Sequence, residues 1–223
     1  MVLAAPSGAG KTTIARRLVG DRTGFVFSTS ATTRSPRPGE REGVDYFFTD
    51  EAGFLSMIER GELAEWARVH GRLYGTPVRN LEQAAARGEY PLLDIDVQGA
   101  RQIRERVPDA LLVFVLPPSA ELWIERLRGR GTEASAELAI RLRTAVDELE
   151  AVGEFDVVVL NDDLNETVAE VRRLVRDGGA GLGEDEVRQL VGALKDGVAH
   201  ALNDLERVQD GPLTTRGPAD VGH

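Results

Sequence analysis

Residues able to hold a phosphate group stand almost at the beginning of the chain, in the segment Ala5-Pro6-Ser7-Gly8-Ala9-Gly10-Lys11-Thr12-Thr13. Apolar residues precede this segment and a helix-forming run follows it, which is the order of strand, turn and helix in a phosphate-binding loop. Glycines let backbone N–H groups converge on an anion, and the helix N-terminus adds unpaired donors. In such a loop Lys11 would bridge the β- and γ-phosphates of a nucleoside triphosphate, and the Thr12 hydroxyl would bind Mg²⁺.

The loop departs from the general pattern at one position, because Ala5 stands where a glycine is usual. Alanine is the smallest substitute, so we keep this interpretation over the alternative, an ordinary glycine-rich turn that caps a helix. Only four residues precede Ala5, which is short of the usual strand length of about 5–6 residues. Either the first strand is short or the natural chain begins upstream of Met1.

A pair of arginines in the segment 31–46 is suited to a second phosphate. Arg34 and Arg37 flank a proline that stiffens the backbone, and planar guanidinium groups bind phosphate in a bidentate manner. The segment lacks apolar periodicity, so it is either a working loop or a disordered one.

A second group of arginines lies further along the chain. Arg126 and Arg130 are four residues apart, so they share one helix face if their helix continues through Gly129. Two positive charges on one face repel each other, which favours a bound anion there. Arg141 and Arg143 follow in the next predicted helix. The alternative for these arginines is a solvated helix face.

Three carboxylates lie within apolar strand patterns. Asp94 and Asp96 are two residues apart in the buried-looking run 92–97, so the sequence predicts that they share one face of a strand. Near a phosphate loop they suit Mg²⁺ or ribose, although exposed acids are the common alternative. Glu65 falls on the apolar face of the alternating run 63–69, where a carboxylate needs hydrogen-bond donors.

The composition restricts the possible functions. The chain has 223 residues, 42% hydrophobic and 29% charged, with a formal net charge of −10. This acidity argues against general nucleic-acid binding. The absence of cysteine excludes disulfides and thiolate metal sites. Because the sequence contains no apolar run of about 18 residues and no signal peptide, we predict a cytoplasmic protein without a membrane partner.

Strand and helix patterns alternate along the chain, which predicts an α/β fold with a parallel sheet. The predicted strands cover residues 2–4, 24–30, 63–69, 92–97, 111–116 and 155–160. The predicted helices cover residues 12–19, 49–61, 78–87, 100–107, 120–133, 135–152 and 165–176. Beyond them, apolar residues from Val187 to Val208 recur at helical spacing, and this stripe must bury against something.

Several segments, in this order, resemble the guanylate kinases, which transfer a phosphoryl group from ATP to GMP. They are APSGAGKTT, STSATTRSPRPGEREGVDYFF, GELAEWARVHGRLYGT, LLDIDVQGARQI, LPPSAELWIERLRGRGTE with RLRTAVDELE, and FDVVVLNDDL. The resemblance covers most of residues 1–177. It implies a parallel sheet of the P-loop NTPase type flanked by helices, with a mixed GMP-binding insertion and a helical lid.

The resemblance also implies boundaries within the chain. The kinase domain would span 1–177, with a core of 1–30, 91–125 and 151–177, a GMP-binding region of 31–90 and a lid of 126–150. We expect an amphipathic helical extension over 178–210 and a disordered tail over 211–223. The helix 187–208 could pack on the kinase core, self-associate or contact another protein.

Site residues follow from the same resemblance, each at a matching position. The ATP-binding residues would be Ser7, Gly8, Ala9, Gly10, Lys11, Thr12, Thr13 and Asn161. The GMP phosphate would contact Arg34, Arg37, Tyr46 and Tyr74, and the base and ribose would contact Ser30, Glu65, Thr76 and Asp96. Catalytic charge would come from Lys11, Arg34, Arg37, Arg126, Arg130 and Arg141. Thr12 and Asp94 would hold Mg²⁺.

The expected activity is ATP-dependent phosphorylation of GMP, and of dGMP, to the diphosphate. One alternative is a guanylate-kinase-like binding module without catalysis, but such modules typically lack the intact loop that Lys11 and its glycines provide. The other is a kinase for another nucleoside monophosphate. Glu65 opposes it, because an ionised carboxylate can accept hydrogen bonds from guanine N1–H and N2–H, which adenine does not offer.

Overall fold

The structure is a computed structural model and describes residues 1–20, 24–69, 71–128 and 135–209. Along the chain the elements are β1 (Val2–Ala4), α1 (Lys11–Gly20), β2 (Phe25–Phe27), β3 (Ala31–Thr32), β4 (Phe47–Phe48), α2 (Glu51–Glu59), β5 (Leu63–Val69), β6 (Arg72–Pro77), α3 (Val78–Ala86), β7 (Tyr90–Asp94), α4 (Val97–Arg106), β8 (Leu112–Leu116), α5 (Ala120–Arg128), α6 (Ser135–Leu149), a 3-10 turn (Glu150–Glu154), β9 (Val157–Leu160), α7 (Leu164–Asp177) and α8 (Glu184–Gln209).

The central sheet is parallel and has the strand order β2-β7-β1-β8-β9. Its middle strand β1 is fully buried, because the apolar run Val2-Leu3-Ala4 can face helices on both sides. Leu3 packs with α1 and α7, whereas Ala4 packs with α5, α6 and α8 on the opposite face. The predicted α/β fold with a helix-flanked parallel sheet is therefore confirmed.

A second, mixed sheet is inserted between β2 and β7. Its order is β4-β3-β6-β5, with β3 and β4 parallel and the remaining pairs antiparallel. Phe54 of α2 is fully buried against Leu63 and Leu73 in the small core of this unit. The strand predicted over 63–69 is confirmed at both ends as β5.

The predicted strand 92–97 is wrong at its C-terminal end. β7 stops at Asp94, and α4 starts at Val97, three residues before the predicted start. The cause is local, because the Asp96 carboxylate accepts a 2.8 Å hydrogen bond from the Gly99 N–H and so caps the helix. Asp94 and Asp96 consequently belong to a strand end and a helix cap, and they do not share one strand face.

The apolar stripe beyond residue 178 packs on the chain itself. α8 lies against α5 and α6, and Leu194 and Val198 are fully buried there. Ion pairs join Arg143 of α6 to Glu206 and Glu150 to Lys195. The expected packing of this helix against the rest of the chain is therefore found.

Several sequence predictions lie wholly or partly outside the described residues. They are the role of Arg130, the disordered tail over 211–223, and parts of the lid, of the predicted helix 120–133 and of the extension 178–210. In the part of the chain that is described, no helix is both long and apolar enough to cross a membrane.

Candidate active site

The glycine-rich loop connects the buried strand β1 to helix α1. Gly8 and Gly10 have φ angles of 85° and 99°, which favour glycine over residues with a side chain. A Cβ on Gly10 would lie 2.3 Å from Asn161 Nδ2, and one on Gly8 would lie 2.9 Å from Leu127. The loop thus needs glycine at both positions, for backbone conformation and for space.

Lys11 and Thr12, at the start of α1, reach the carboxyl end of β7. The Lys11 Nζ is 2.9 Å from Asp94 Oδ1 and donates a 2.7 Å hydrogen bond to the Ile95 carbonyl. The Thr12 hydroxyl is 3.3 Å from Asp94 Oδ2. The structure therefore brings together the lysine, hydroxyl and carboxylate that the sequence singled out, because the neighbouring strands β1 and β7 are parallel and end at one edge.

Asn161, which directly follows β9, reaches the same loop from the other side. It is 6% exposed, and its Nδ2 donates a 2.6 Å hydrogen bond to the Ala9 carbonyl. It lines a cavity of about 430 Å³ together with Gly8, Gly10, Thr13, Arg126, Asp162 and Leu164. A cavity bounded by a phosphate loop and an arginine suits a negatively charged ligand.

Arg126 is placed on α5 at the wall of this cavity. Its Nη1 is buried and has no hydrogen-bond partner among the described residues. A buried guanidinium donor without an acceptor is costly, which favours an anionic ligand at this position. Arg141, on α6, donates a 3.2 Å hydrogen bond to the Leu127 carbonyl of α5.

A second cavity, of about 180 Å³, lies between the mixed sheet and the end of β7. Its walls are Lys11, Ser30, Tyr46, Glu65, Ala67, Val69, Tyr74, Asp94, Ile95 and Asp96. Lys11 thus belongs to the phosphate loop and to this cavity at once. Seven of the lining residues were candidates from the sequence, and they come from six separate places in the chain.

Glu65 is the buried acid of this second cavity. It is 3% exposed, and its Oε1 accepts a 2.6 Å hydrogen bond from the Thr76 hydroxyl. The pKa of Glu65 is raised to about 7, chiefly by burial and also by Asp96, while the Thr76 hydrogen bond and Lys11 act in the opposite direction. A Cβ on Gly99 would lie 2.7 Å from Glu65 Oε2, so Gly99 leaves the space for this carboxylate.

Glu40, an acid that the sequence analysis missed, orders the segment 31–46, which carries Arg34 and Arg37 and is called the arginine loop. Glu40 accepts hydrogen bonds of 2.8 and 2.9 Å from Arg34 Nη2, and a third of 2.7 Å from the Arg37 N–H. The Arg34 guanidinium lies 5.2 Å from the centre of the Tyr46 ring, which contacts Tyr74 edge to face. The Glu40 carboxylate raises the pKa of Arg34, so this guanidinium stays charged.

Two further residues missed from the sequence hold the loop at Ser7. Glu148 of α6 accepts a 2.9 Å hydrogen bond from the Ser7 N–H, and Trp123 of α5 donates a 2.7 Å bond to the Ser7 carbonyl. Neither residue carries a local sequence signal, because each lies more than 110 positions from Ser7 and occupies an ordinary helical pattern.

Taken together, the site offers two cavities at the phosphate loop. Gly8, Gly10 and Arg126 line one of them, and Lys11 lines the other together with the buried acid Glu65. This arrangement can bind two phosphorylated ligands and neutralise the charge between them, which is what phosphoryl transfer requires of a protein.

Comparison with known proteins agrees with this chemistry. A family model described as Guanylate kinase matches residues 1–178. The guanylate kinase of Myxococcus xanthus (strain DK1622) is 48% identical over 176 residues, which are 78% of this chain and 84% of that protein. That of Dechloromonas aromatica (strain RCB) is 46% identical over 187 residues, covering 84% of this chain and 93% of its own.

A solved structure is similar as well. The crystal structure of guanylate kinase from Anaplasma phagocytophilum superposes with a TM-score of 0.63 at 34% sequence identity, covering 79% of this chain and 84% of that one. The residues that the family model matches include the phosphate loop, both cavities and the parallel sheet, and they end before α8. On these grounds the chain belongs to the guanylate kinase family.

Proposed function

We propose that this protein phosphorylates GMP to GDP with ATP as the donor, and that it accepts dGMP in the same way. The observation that carries the proposal is the buried Glu65 in a cavity that shares Lys11 with the phosphate loop. One cavity then takes the donor and the other the acceptor. An acceptor oxygen attacks the γ-phosphorus of ATP in line, and ADP leaves.

The donor triphosphate binds along residues 7–13. Backbone N–H groups of the loop contact its phosphates, and Lys11 neutralises the β- and γ-phosphates. Arg126 adds charge from the cavity wall, where its buried Nη1 has no acceptor among the described residues, and Asn161 lies beside the adenine. In this proposal Arg130 and Arg141 belong with Arg126 to a lid over residues 126–150.

Mg²⁺ fits the oxygen ligands found at the loop. The Thr12 hydroxyl and the Asp94 carboxylate lie within 3.3 Å of each other. Among the described residues, no group of three or more acidic or histidine side chains forms a complete metal cage. This suits Mg²⁺, which uses few protein ligands and keeps waters and substrate phosphates. Bound there, the ion supplies positive charge beside the transferred phosphoryl group.

The acceptor nucleotide occupies the second cavity. Its phosphate contacts Arg34, Arg37 and the hydroxyls of Tyr46 and Tyr74. Glu40 holds the arginine loop in place by its three hydrogen bonds, so the incoming phosphate meets an ordered Arg34. The base and ribose contact Ser30, Glu65, Thr76 and Asp96.

Selection of guanine rests on Glu65. Its carboxylate accepts two parallel hydrogen bonds from guanine N1–H and N2–H, while Thr76 fixes its orientation. Bound adenine offers neither of these two donors, so the buried carboxylate would keep only the Thr76 hydrogen bond, which disfavours AMP by orders of magnitude. This argues against a kinase for another nucleoside monophosphate.

The chemistry of transfer needs positioning and charge and no nucleophilic side chain. Lys11 and the arginines stabilise the negative charge that develops in the transition state. Water must be excluded, because it competes as an acceptor, so we expect residues 31–90 and 126–150 to close over the two nucleotides. Unchanged solution scattering on addition of both nucleotides would contradict this closure. A cytoplasmic location remains part of the proposal.

One assay tests the proposed activity. ADP release from ATP is measured with GMP, dGMP, AMP, CMP and UMP in turn. We expect turnover with the two guanine nucleotides. Fastest turnover with AMP would overturn the proposal, and binding of GMP without ADP release would favour the alternative of a catalytically inactive binding module.

A further inference from the structure

The peptide units around Ser7 are held from both sides by residues of two other helices. The Ser7 N–H donates a 2.9 Å hydrogen bond to Glu148 Oε2, and the Ser7 carbonyl accepts a 2.7 Å bond from Trp123 Nε1. Trp123 lies on α5 and is fully buried, and Glu148 lies on α6 and is partly buried. The first turn of the phosphate loop therefore carries a bond to each helix.

Packing strengthens this connection. A Cβ on Gly8 would lie 2.9 Å from Leu127 and 3.3 Å from Trp123, so α5 is in close contact with the loop. α6 and α8 cover the other side of α5 in one apolar cluster that contains Trp123 and Leu127. The indole is thus fixed by its surroundings, and its single N–H donor has only one direction available.

The electrostatic position of Glu148 fits a role in the loop. Burial raises the pKa of Glu148, and Asp96 and Asp147 act in the same direction, whereas the Ser7 N–H and Lys11 lower it. A half-buried carboxylate costs free energy unless donors compensate it. The Ser7 N–H is such a donor, and the carboxylate in turn fixes the direction of the peptide that precedes the loop glycines.

We propose that Trp123 and Glu148 are positioning residues for the donor nucleotide, which hold the Ser7 peptide so that the following loop amides are preset for the ATP phosphates. They act through Ser7 and do not touch the nucleotide. The inference rests on the proposed binding of ATP along residues 7–13. It also links the loop to α5, which leads into the proposed lid, and to α6, which lies within the lid.

The test compares binding of the two substrates in variants that remove each hydrogen bond. Trp123→Phe removes the indole N–H and keeps an aromatic ring, and thermal unfolding reports the effect of its lost volume. Glu148→Ala removes the acceptor, and Glu148→Gln retains an acceptor oxygen. Glu137→Gln, an exposed acid on the same helix, is the matched control. Dissociation constants are measured for a non-hydrolysable ATP analogue and for GMP, with thermal unfolding followed for every variant.

We expect Trp123→Phe to weaken binding of the ATP analogue about fivefold, the effect of one net hydrogen bond. Glu148→Ala should weaken it about tenfold or more, and Glu148→Gln should restore most of the loss. GMP binding should stay within about twofold of wild type, and the double variant should be non-additive, since both residues act on one peptide. Glu137→Gln should match wild type.

Two outcomes would overturn the inference. Unchanged binding of the ATP analogue in both Trp123→Phe and Glu148→Ala would show that donor binding does not need the two hydrogen bonds to Ser7. An equal loss for the ATP analogue and GMP would show a general loosening of the fold. Lys11→Ala tests the proposed donor site independently of Trp123 and Glu148. Unchanged binding of the ATP analogue in Lys11→Ala would show that the donor does not bind at this loop.

Discussion

Thr76 Oγ1 donates a 2.6 Å hydrogen bond to Glu65 Oε1 in the interior, where Thr76 is 0% and Glu65 3% exposed. Glu65 stands on β5 and Thr76 on the neighbouring β6, and the two residues are directly paired in the antiparallel ladder. Because cross-strand partners lie close together on one face, the ladder fixes the acid and its donor as a unit.

GMP use should increase with pH through about 7. Burial raises the pKa of Glu65 to about 7, and the ionised form is the one that accepts the guanine hydrogen bonds. The measurement is kcat/KM for GMP at saturating ATP between about pH 5.5 and 8.5. The GMP phosphate itself ionises near pH 6, so Glu65→Gln is the control. Glu65→Gln should lose the preference for GMP and the part of the pH profile that changes near pH 7. The same pH profile in both proteins would contradict the assignment of this change to Glu65.

The stability of the protein should show the opposite dependence on pH. In the unfolded chain Glu65 has its ordinary value of 4.5, whereas in the fold its pKa is about 7. Between these values the folded state holds the extra proton, so Glu65 makes the free energy of unfolding fall as the pH rises. Denaturant titrations measure the difference in free energy of unfolding between Glu65→Gln and wild type at pH 5 and at pH 8. We expect this difference to favour Glu65→Gln more at pH 8 than at pH 5. An equal difference at both values would count against the buried acid.

Lys11→Ala should lower turnover by about 100-fold or more, because the charge nearest the transferred phosphoryl group is lost. The other lysine of the sequence, Lys195, pairs with Glu150 on the surface of the extension and provides the control, since Lys195→Ala should leave kcat unchanged. Arg37→Ala should also reduce turnover by orders of magnitude. Wild-type turnover in Lys11→Ala would show that the lysine of the loop does not contribute to catalysis.

Gly99→Ala should raise the KM for GMP by about tenfold, because a small displacement of a positioning group can cost this much. The added Cβ would lie 2.7 Å from Glu65 Oε2 and would displace the carboxylate. The KM for ATP should stay within about twofold. Gly153→Ala, where the new Cβ meets nothing within 4 Å among the described residues, is the control and should leave both values unchanged.

Two glycines of α8 should respond to alanine in opposite directions. A Cβ on Gly197 would lie 2.3 Å from the Ala120 Cβ, so Gly197→Ala should lower the free energy of unfolding by about 1–3 kcal/mol. Gly192 has nothing within 4 Å of its Cβ position among the described residues, and Gly192→Ala should raise stability by up to about 1 kcal/mol. Thermal unfolding measures both. Equal shifts would show that α8 does not pack tightly on α5.

Removal of the extension after Asp177 should destabilise the protein. α8 buries Leu194 and Val198 against the cluster that holds Leu142 and Ala145 of α6, and truncation exposes this apolar surface. A truncated chain with unchanged thermal unfolding would make α8 a dispensable appendage.

Much of the fold could be read from local patterns. The alternation of residues 63–69 predicted β5 at both ends, and the loop at residues 5–13 predicted the step from strand to helix. The sequence pattern did not predict that the strand ends before Asp96. The Asp96 side chain caps α4, and this local hydrogen bond starts the helix within a run whose apolar residues favour a strand. The order of segments along the chain was enough to identify the family.

The sequence by itself determined the phosphate loop, the candidate side chains and the class of the fold, since these follow from residue type and short-range spacing. Only the tertiary structure decided which distant groups meet: Glu65 with Gly99, and Ser7 with Trp123 and Glu148. It also decided that α8 covers α5 and α6. The physical reason is that hydrogen bonding and close packing depend on distance in space, which residue spacing fixes only within one helix, strand or turn.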